Sequence, residues 1–431
     1  MHSMLEIKEI LLDEHTSVES ITSKIPPVFF QTGGGIINFF EKTEKTEKTE
    51  KTEKTEKTEK TEKTEKTEIF VNFFGNRIPK LLNTDTITTK EYGVIGQKVF
   101  FDTNFVSNLP KYFSSDRYKL KDGKKDEIAR IEKIIEDVVN KYNCSYDFNF
   151  IFFENAREYE NNSYHPIRKI AAMLVLKEVI ENKNMEFRDI RIFDNMEKVE
   201  EYIDQSKILW ESYLSSEMMQ VFKVNHICHY LVLLRFYTMY WRNPSLLSDD
   251  IFNGLVAFVK KNFKKIPIKS LYFCWKILKI YKNDLKDFSM FTEKSLRTLK
   301  KDSLNRLHAL SWDTYSYRFF ESSSTEKFEG KPNLVYLPLL TSLDNNMVET
   351  INNCPIKTIY YHPHNLNVEM IFDDEKEFSI FFSKYAKKYY SEYKPYSAVE
   401  TDADTQKYYS LVMVLEGLCD GMLIFRKKSI F

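Results

Sequence analysis

The sequence predicts an α/β fold built on a parallel sheet, and three observations predict it. Short apolar runs alternate with amphipathic segments between Val99 and Tyr361. Chain breakers are scarce, with 11 Gly and 12 Pro among 431 residues, while Phe (34) and Tyr (26) abound. The run KVFFDTNFVSN, residues 98–108, stops an apolar strand on a carboxylate. Strands that alternate with helices need crossover connections, which make neighbouring strands parallel. Sparse breakers favour helix over a sandwich or barrel.

In chain order, residues 1–41 form an N-terminal segment with a Gly33–Gly35 triplet, which lacks the Lys-Ser/Thr signature of a phosphate loop. Residues 42–68 are nine Lys-Thr-Glu triplets without one apolar side chain. Such a segment has nothing to bury against the entropy of ordering, so it reads as a solvated spacer outside any core. The runs flanking it, Ile36–Phe40 and Ile69–Phe74, are expected to pair as strands. Residues 69–184 make the first part of the α/β domain. They comprise a strand at 98–102, a helix at 125–141, a strand Phe148–Phe153 leading into Glu154, and a helix from Pro166 to Glu181. Ile128, Ile131, Ile134, Ile135 and Val138 share one stripe of the first helix, and Pro166 is a favoured first-turn residue for the second. A helical insertion follows at 185–300. The second part of the domain, 301–365, holds a long helix to 321, a strand at 333–340, a short helix after Asp344 and a strand at 357–361. Residues 366–431 are expected to be an α-rich C-terminal extension.

Bulk composition narrows function. Lys+Arg and Asp+Glu each total 63, so nucleic-acid binding requires a local patch. Five dispersed cysteines, at 144, 228, 274, 354 and 419, argue for reduced thiols in a cytoplasmic protein and against a zinc cluster. Met1–Thr32 mixes acids with apolar residues, unlike a signal peptide. Ile227–Trp241 contains His229 and Arg235 and is too short for a membrane span, so it is expected as a buried helix.

Asp102 follows the first strand, Glu154 the second, Asp313 lies in SWDTY on the late helix, and Asp344 closes TSLD after the late strand. An Asp after a strand is also a common helix cap. The order and context of these motifs resemble the PIN-like nuclease family. That resemblance implies a three-layer α/β/α domain whose acids, at the C-terminal edge of a parallel sheet, hold Mg²⁺ or Mn²⁺ and cut RNA. It assigns the metal and the chemistry to Asp102, Glu154, Asp313 and Asp344, with Asn104 and Thr341 in support. Glu158 and Glu160 compete with Glu154 for the second place. The chain departs from the family in the length of its helical insertion. By the same analogy the nuclease would be a toxin or antiviral effector on single-stranded RNA or tRNA, governed by an inhibitory or activating protein or by homo-oligomerisation. The alternative is an inactive PIN-like RNA- or protein-binding scaffold. The Arg-x4-His motif of helical ribonucleases is missing.

Lys260–Asp302 carries thirteen Lys/Arg against four Asp/Glu, with Phe263, Tyr272, Phe273, Trp275 and Tyr281 interleaved. Phosphate neutralisation and base stacking would make Lys260, Lys261, Lys264, Lys265 and Lys269 an RNA-binding face; a solvated helix over a core has the same pattern. His226/His229 and His362/His364 are expected to pack or hydrogen-bond; no HExxH or nearby carboxylate accompanies the first pair.

Overall fold

The computed structural model describes residues 4–13, 17–32, 34–40, 70–74, 77–89, 94–119, 122–140, 145–159, 165–182, 186–264, 266–282, 296–323, 327–328, 331–343, 345–362, 367–386 and 402–428. The Lys-Thr-Glu spacer lies outside them. The chain is mixed α/β, and no helix among the described residues is long and apolar enough to cross a membrane. It divides into two compact units: residues 1–213 with 319–373, and 214–318 with 374–431.

Three short helices open the first unit: α1 (Met4–Leu12), α2 (Val18–Thr22) and α3 (Pro27–Gln31). The strands are β1 (Gly35–Phe40), β2 (Phe70–Asn72), β3 (Ile78–Leu82), β4 (Val94–Phe101), β5 (Ser145–Asp147), β6 (Lys327–Phe328), β7 (Lys331–Thr341), β8 (Ile356–His362) and β9 (Asn367–Phe372). They build two sheets. In one, β5, β4 and β7 run parallel, with β2 and β6 antiparallel against β7. The other is wholly antiparallel, in the order β3-β1-β8-β9.

The parallel strand β4 is central because Val99, Phe100 and Phe101 are apolar on both faces and all buried. Helices of this unit are α4 (Thr84–Thr89), α5 (Thr103–Tyr112), α6 (Asp122–Asn140), α7 (Asn149–Tyr159), α8 (His165–Glu181) and most of α9 (Met196–Ser215). Successive strand residues point to opposite faces. Accordingly Phe101 stacks on Phe105 of α5 (5.4 Å), while Phe100 meets Phe319 and Phe320 edge-on at 5.7 and 5.5 Å. The antiparallel sheet buries Ile36, Tyr360 and Ile371 beneath Ile7, Leu11, Ile21 and Phe29 of the opening helices.

Three expectations are corrected. Phe148–Phe153 is not a strand: β5 ends at Asp147, and α7 begins at Asn149, whose N–H donates to Asp147 Oδ1 at 2.6 Å. Phe150 and Phe153 face Phe319 (5.3 and 5.2 Å), whereas Phe152 turns to Trp210 and Tyr213. That is a helical period; a period of two would have put Phe150 and Phe152 together. The runs flanking the spacer do not pair with each other, because β1 joins β3 and β8 while β2 joins β7 in the other sheet. The strand at 357–361 is antiparallel, and β9, at the start of the segment expected to be α-rich, pairs with it.

The second unit is helical: α10 (Glu217–Arg242), α11 (Ser248–Asn262), α12 (Ile268–Tyr281), most of α13 (Ser303–Ser323), α15 (Glu375–Ala386) and α16 (Asp402–Lys428), with α14 (Asn345–Asn353) belonging to the first unit. Residues 230–234 of α10 are all buried, as expected for a helix apolar on every side. Tyr237 and Tyr281 share a 2.9 Å hydrogen bond between hydroxyls, and Trp241 Nε1 donates to the Leu296 carbonyl at 2.7 Å. Lysines of α12 meet acids at the start of α15: Lys269 with Glu375 (2.8 Å), Lys276 with Asp374, and Lys279 with Glu377 (2.7 Å). Acids in that first turn also oppose the helix dipole favourably.

Lys269 and Glu375 are 11% and 2% exposed, so removing one partner leaves a buried charge. Glu375→Ala should cost about 3–5 kcal/mol in urea unfolding. Lys269→Met with Glu375→Leu should recover most of that loss; equal destabilisation by both variants would show that the carboxylate does not compensate the lysine.

Candidate functional site

The site grows from the carboxyl end of β4. Asp102 leaves the strand with φ −79° and ψ 162°, its backbone N–H donating to the Thr341 carbonyl at 3.2 Å. Its Oδ1 accepts the Phe105 N–H at 2.6 Å and so caps α5; its Oδ2 accepts the Ser342 hydroxyl. Glu154, from α7, accepts the Thr103 N–H at 2.6 Å. Two carboxylates fifty-two positions apart thus share the first turn of α5. Unpaired N–H groups and the positive end of the dipole favour anions there.

Behind them stands a polar chain. Asn155 is buried, its Nδ2 donating to Thr103 Oγ1 at 3.0 Å and to the Ile151 carbonyl at 2.7 Å. Its Oδ1 accepts from Lys169 Nζ at 3.1 Å. Lys169, on α8, is itself buried. The acid that ends the second strand is Asp147, paired with Lys98 at 3.0 Å.

The other expected residues are placed as follows. Asn104 is exposed, beside Thr103 on α5. Thr341 is fully buried and donates its hydroxyl to the Phe100 carbonyl at 3.2 Å, which ties β7 to β4. Asp313 lies on α13 in the second unit, whereas Asp102 and Glu154 lie in the first. Asp344 and Glu160 fall outside the described residues, as does the side chain of Glu158. No group of three or more His, Cys, Asp or Glu gathers as a metal set among the described residues. Sequence reasoning missed Thr103, Asn155, Lys169 and Ser342. Asn155 and Thr103 directly follow expected acids in sequence; nothing marked Lys169.

In the basic segment, Lys260 and Lys261 are exposed on the last turn of α11, and Lys264 pairs with Asp404 of α16. Lys269 is buried against Glu375, and Lys265 lies outside the described residues. Tyr272, Phe273, Trp275 and Tyr281 are buried, so they are core side chains with no face presented for bases.

No protein-family model, curated protein or solved structure matches the chain.

The histidines of α10 are core residues of the second unit. Thr314 Oγ1 donates to the Leu310 carbonyl at 2.8 Å, so it receives the Nε2–H of His229 at 2.7 Å. His229 Nδ1 then accepts the Ser270 hydroxyl at 2.8 Å, which fixes a neutral ring. His226 stacks on Trp312 at 3.7 Å, and its Nε2 meets Ser311 Oγ at 2.9 Å. Burial, then the Arg318 charge, pushes His229 down to about 3; burial and the neighbouring His308 and His229 hold His226 well below the usual imidazole range. His362 meets Thr32 Oγ1 at 3.0 Å through Nε2, and His364 falls outside the described residues.

Two outcomes follow from this geometry. An unfolded His takes up a proton below about 6.5, whereas the folded His229 refuses it until about 3, so stability present at pH 7 is lost as pH falls between those values. At pH 5 His229 alone should cost about 2 kcal/mol, and His229→Gln should flatten the fall of Tm from pH 7.5 to 5. An unchanged slope would show that this ring does not drive it. For the cap, Asp102→Ala should cost about 1–2 kcal/mol and Asp102→Asn only a few tenths, because Asn caps as well as Asp. Urea unfolding decides; equal losses would mean that capping is not what Asp102 contributes.

Proposed function

We propose that the carboxyl edge of β4 is the active site of a divalent-metal-dependent endoribonuclease of PIN-like type. The observation that carries the reading is the convergence of Asp102 and Glu154, from two separate elements, on one helix end beside parallel strands. Ligands gather at such an edge in open α/β sheets. The donor set fits Mg²⁺ or Mn²⁺: both are hard oxygen ligands, and a carboxylate oxygen that accepts one hydrogen bond keeps a second lone pair. Asp102, Glu154 and, by its place in TSLD, Asp344 would hold the ion, and Thr341 keeps the β7 end of the site against β4. A bound ion supplies charge neutralisation for the phosphodiester and an acidified water for its hydrolysis. The protein's own part is orientation. The first turn of α5 clamps both carboxylates, and Ser342 fixes the Asp102 rotamer. RNA, single-stranded or tRNA, is the proposed substrate, and the toxin or antiviral role under control of a protein partner or self-assembly is a reading by analogy alone.

A second reading, a non-catalytic binding scaffold, is favoured by one observation: both oxygens of Asp102 already accept protein hydrogen bonds. Thermal unfolding with and without Mn²⁺ separates the two. Binding to the folded state at about a hundredfold excess over Kd adds about 3 kcal/mol, so Tm should rise by several degrees. Total RNA incubated with Mn²⁺ should be cut, and Asp102→Asn and Glu154→Gln should abolish cutting while leaving the fold intact. No shift in Tm and no cleavage of RNA or DNA would establish the scaffold.

A further inference from the structure

Resting on the metallonuclease reading, we infer that Thr103 donates a hydrogen bond from its hydroxyl to a non-bridging phosphate oxygen of the substrate, and that Lys169, acting through Asn155, is the positioning residue that makes it a donor. The argument is one of donors and acceptors. An ammonium can only donate, so its 3.1 Å contact obliges Asn155 to present Oδ1 to Lys169. That fixes the amide orientation. Nδ2 must then face the Ile151 carbonyl and Thr103 Oγ1, at 2.7 and 3.0 Å. Thr103 Oγ1 is therefore an acceptor on its inner side. Its one proton meets no acceptor among the described residues, and the residue is partly exposed. The same residue's N–H holds Glu154, so the hydroxyl stands on the residue that carries a proposed metal ligand.

What such a hydroxyl can serve is narrow. Beside two carboxylates and a cation, an O–H with its inner lone pair already occupied suits an anionic oxygen acceptor better than another cation or a donor. A phosphodiester bound to the ion brings that oxygen. Lys169 is buried, and its ammonium reaches the site through the amide it orients.

The test is a double-mutant cycle on the full chain with Mn²⁺ and a fluorescent single-stranded RNA, reading kcat/KM by cleavage and Kd by anisotropy in Ca²⁺. Losing a hydrogen bond to a charged group, Thr103→Val should lower kcat/KM about tenfold to a hundredfold. Lys169→Met should give a similar loss, and the double variant no more than the larger single loss, because both act through one contact. Lys169→Arg should recover much of the activity. Thr103→Val cutting and binding RNA like the parent overturns the donor assignment. Losses of Thr103→Val and Lys169→Met that multiply overturn the positioning role of Lys169 and leave it a packing residue. A parent that shows neither a Tm shift with Mn²⁺ nor cleavage refutes the nuclease reading and this inference with it, whereas a cutting parent with an indifferent Thr103 refutes the inference alone. Urea unfolding of each variant separates loss of fold from loss of contact.

Discussion

A helix that starts beside the end of a buried strand brings amide N–H groups that nothing in the helix can satisfy. In the first unit that constraint falls on the first turn of α5, immediately after β4. The chain meets it with carboxylates: one from the strand's own last turn, the other from α7 fifty residues on. Each supporting group then has a reason. Ser342 holds the outer oxygen of Asp102, Thr341 locks β7 to β4, and Asn155 and Lys169 complete the polar chain behind. The arrangement concentrates negative charge at one sheet edge, as a cation site requires, while serving as a cap in its own right.

How much of this could be read from the sequence depends on the range of the interaction. Val99–Phe101 announces β4 because burial on both faces demands a continuous apolar run, and the stop at Asp102 is local chemistry. Helices α6 and α8 likewise follow from an isoleucine stripe and a first-turn proline. Phe148–Phe153 misleads because a dense aromatic run satisfies both periods; only Phe319 and Phe320, nearly 170 residues later, select the helical one. The partners of β1 and β2 are set by strands far along the chain, which no local pattern encodes. Asn155 and Thr103 stood next to residues already singled out, but Lys169 carried no mark, since its value lies in where α8 places it.

The lysine-rich segment shows the same limit from the other side. Counted along the chain it is strongly basic; in the fold, Lys264, Lys269, Lys276 and Lys279 are answered by Asp404, Glu375, Asp374 and Glu377, all more than ninety positions away. Local charge density therefore overstates the field of the second unit. Its core instead hides neutral imidazoles, each meeting through Nε2 a hydroxyl, Ser311 or Thr314, whose own proton goes to a backbone carbonyl.

The spacer sits between strands that belong to different sheets, β1 hydrogen-bonded to β3 and β8, β2 to β7. Both anchors are secured by partners other than each other, so no register depends on the number of residues between them. Closure entropy grows with the logarithm of length, and even doubling the 27-residue stretch costs only about 0.6 kcal/mol for a loop. Every added Lys-Thr-Glu unit is also electrically neutral. Copy number at this point of the chain is therefore close to invisible to stability, and the sheets on either side hold their registers whatever that number is.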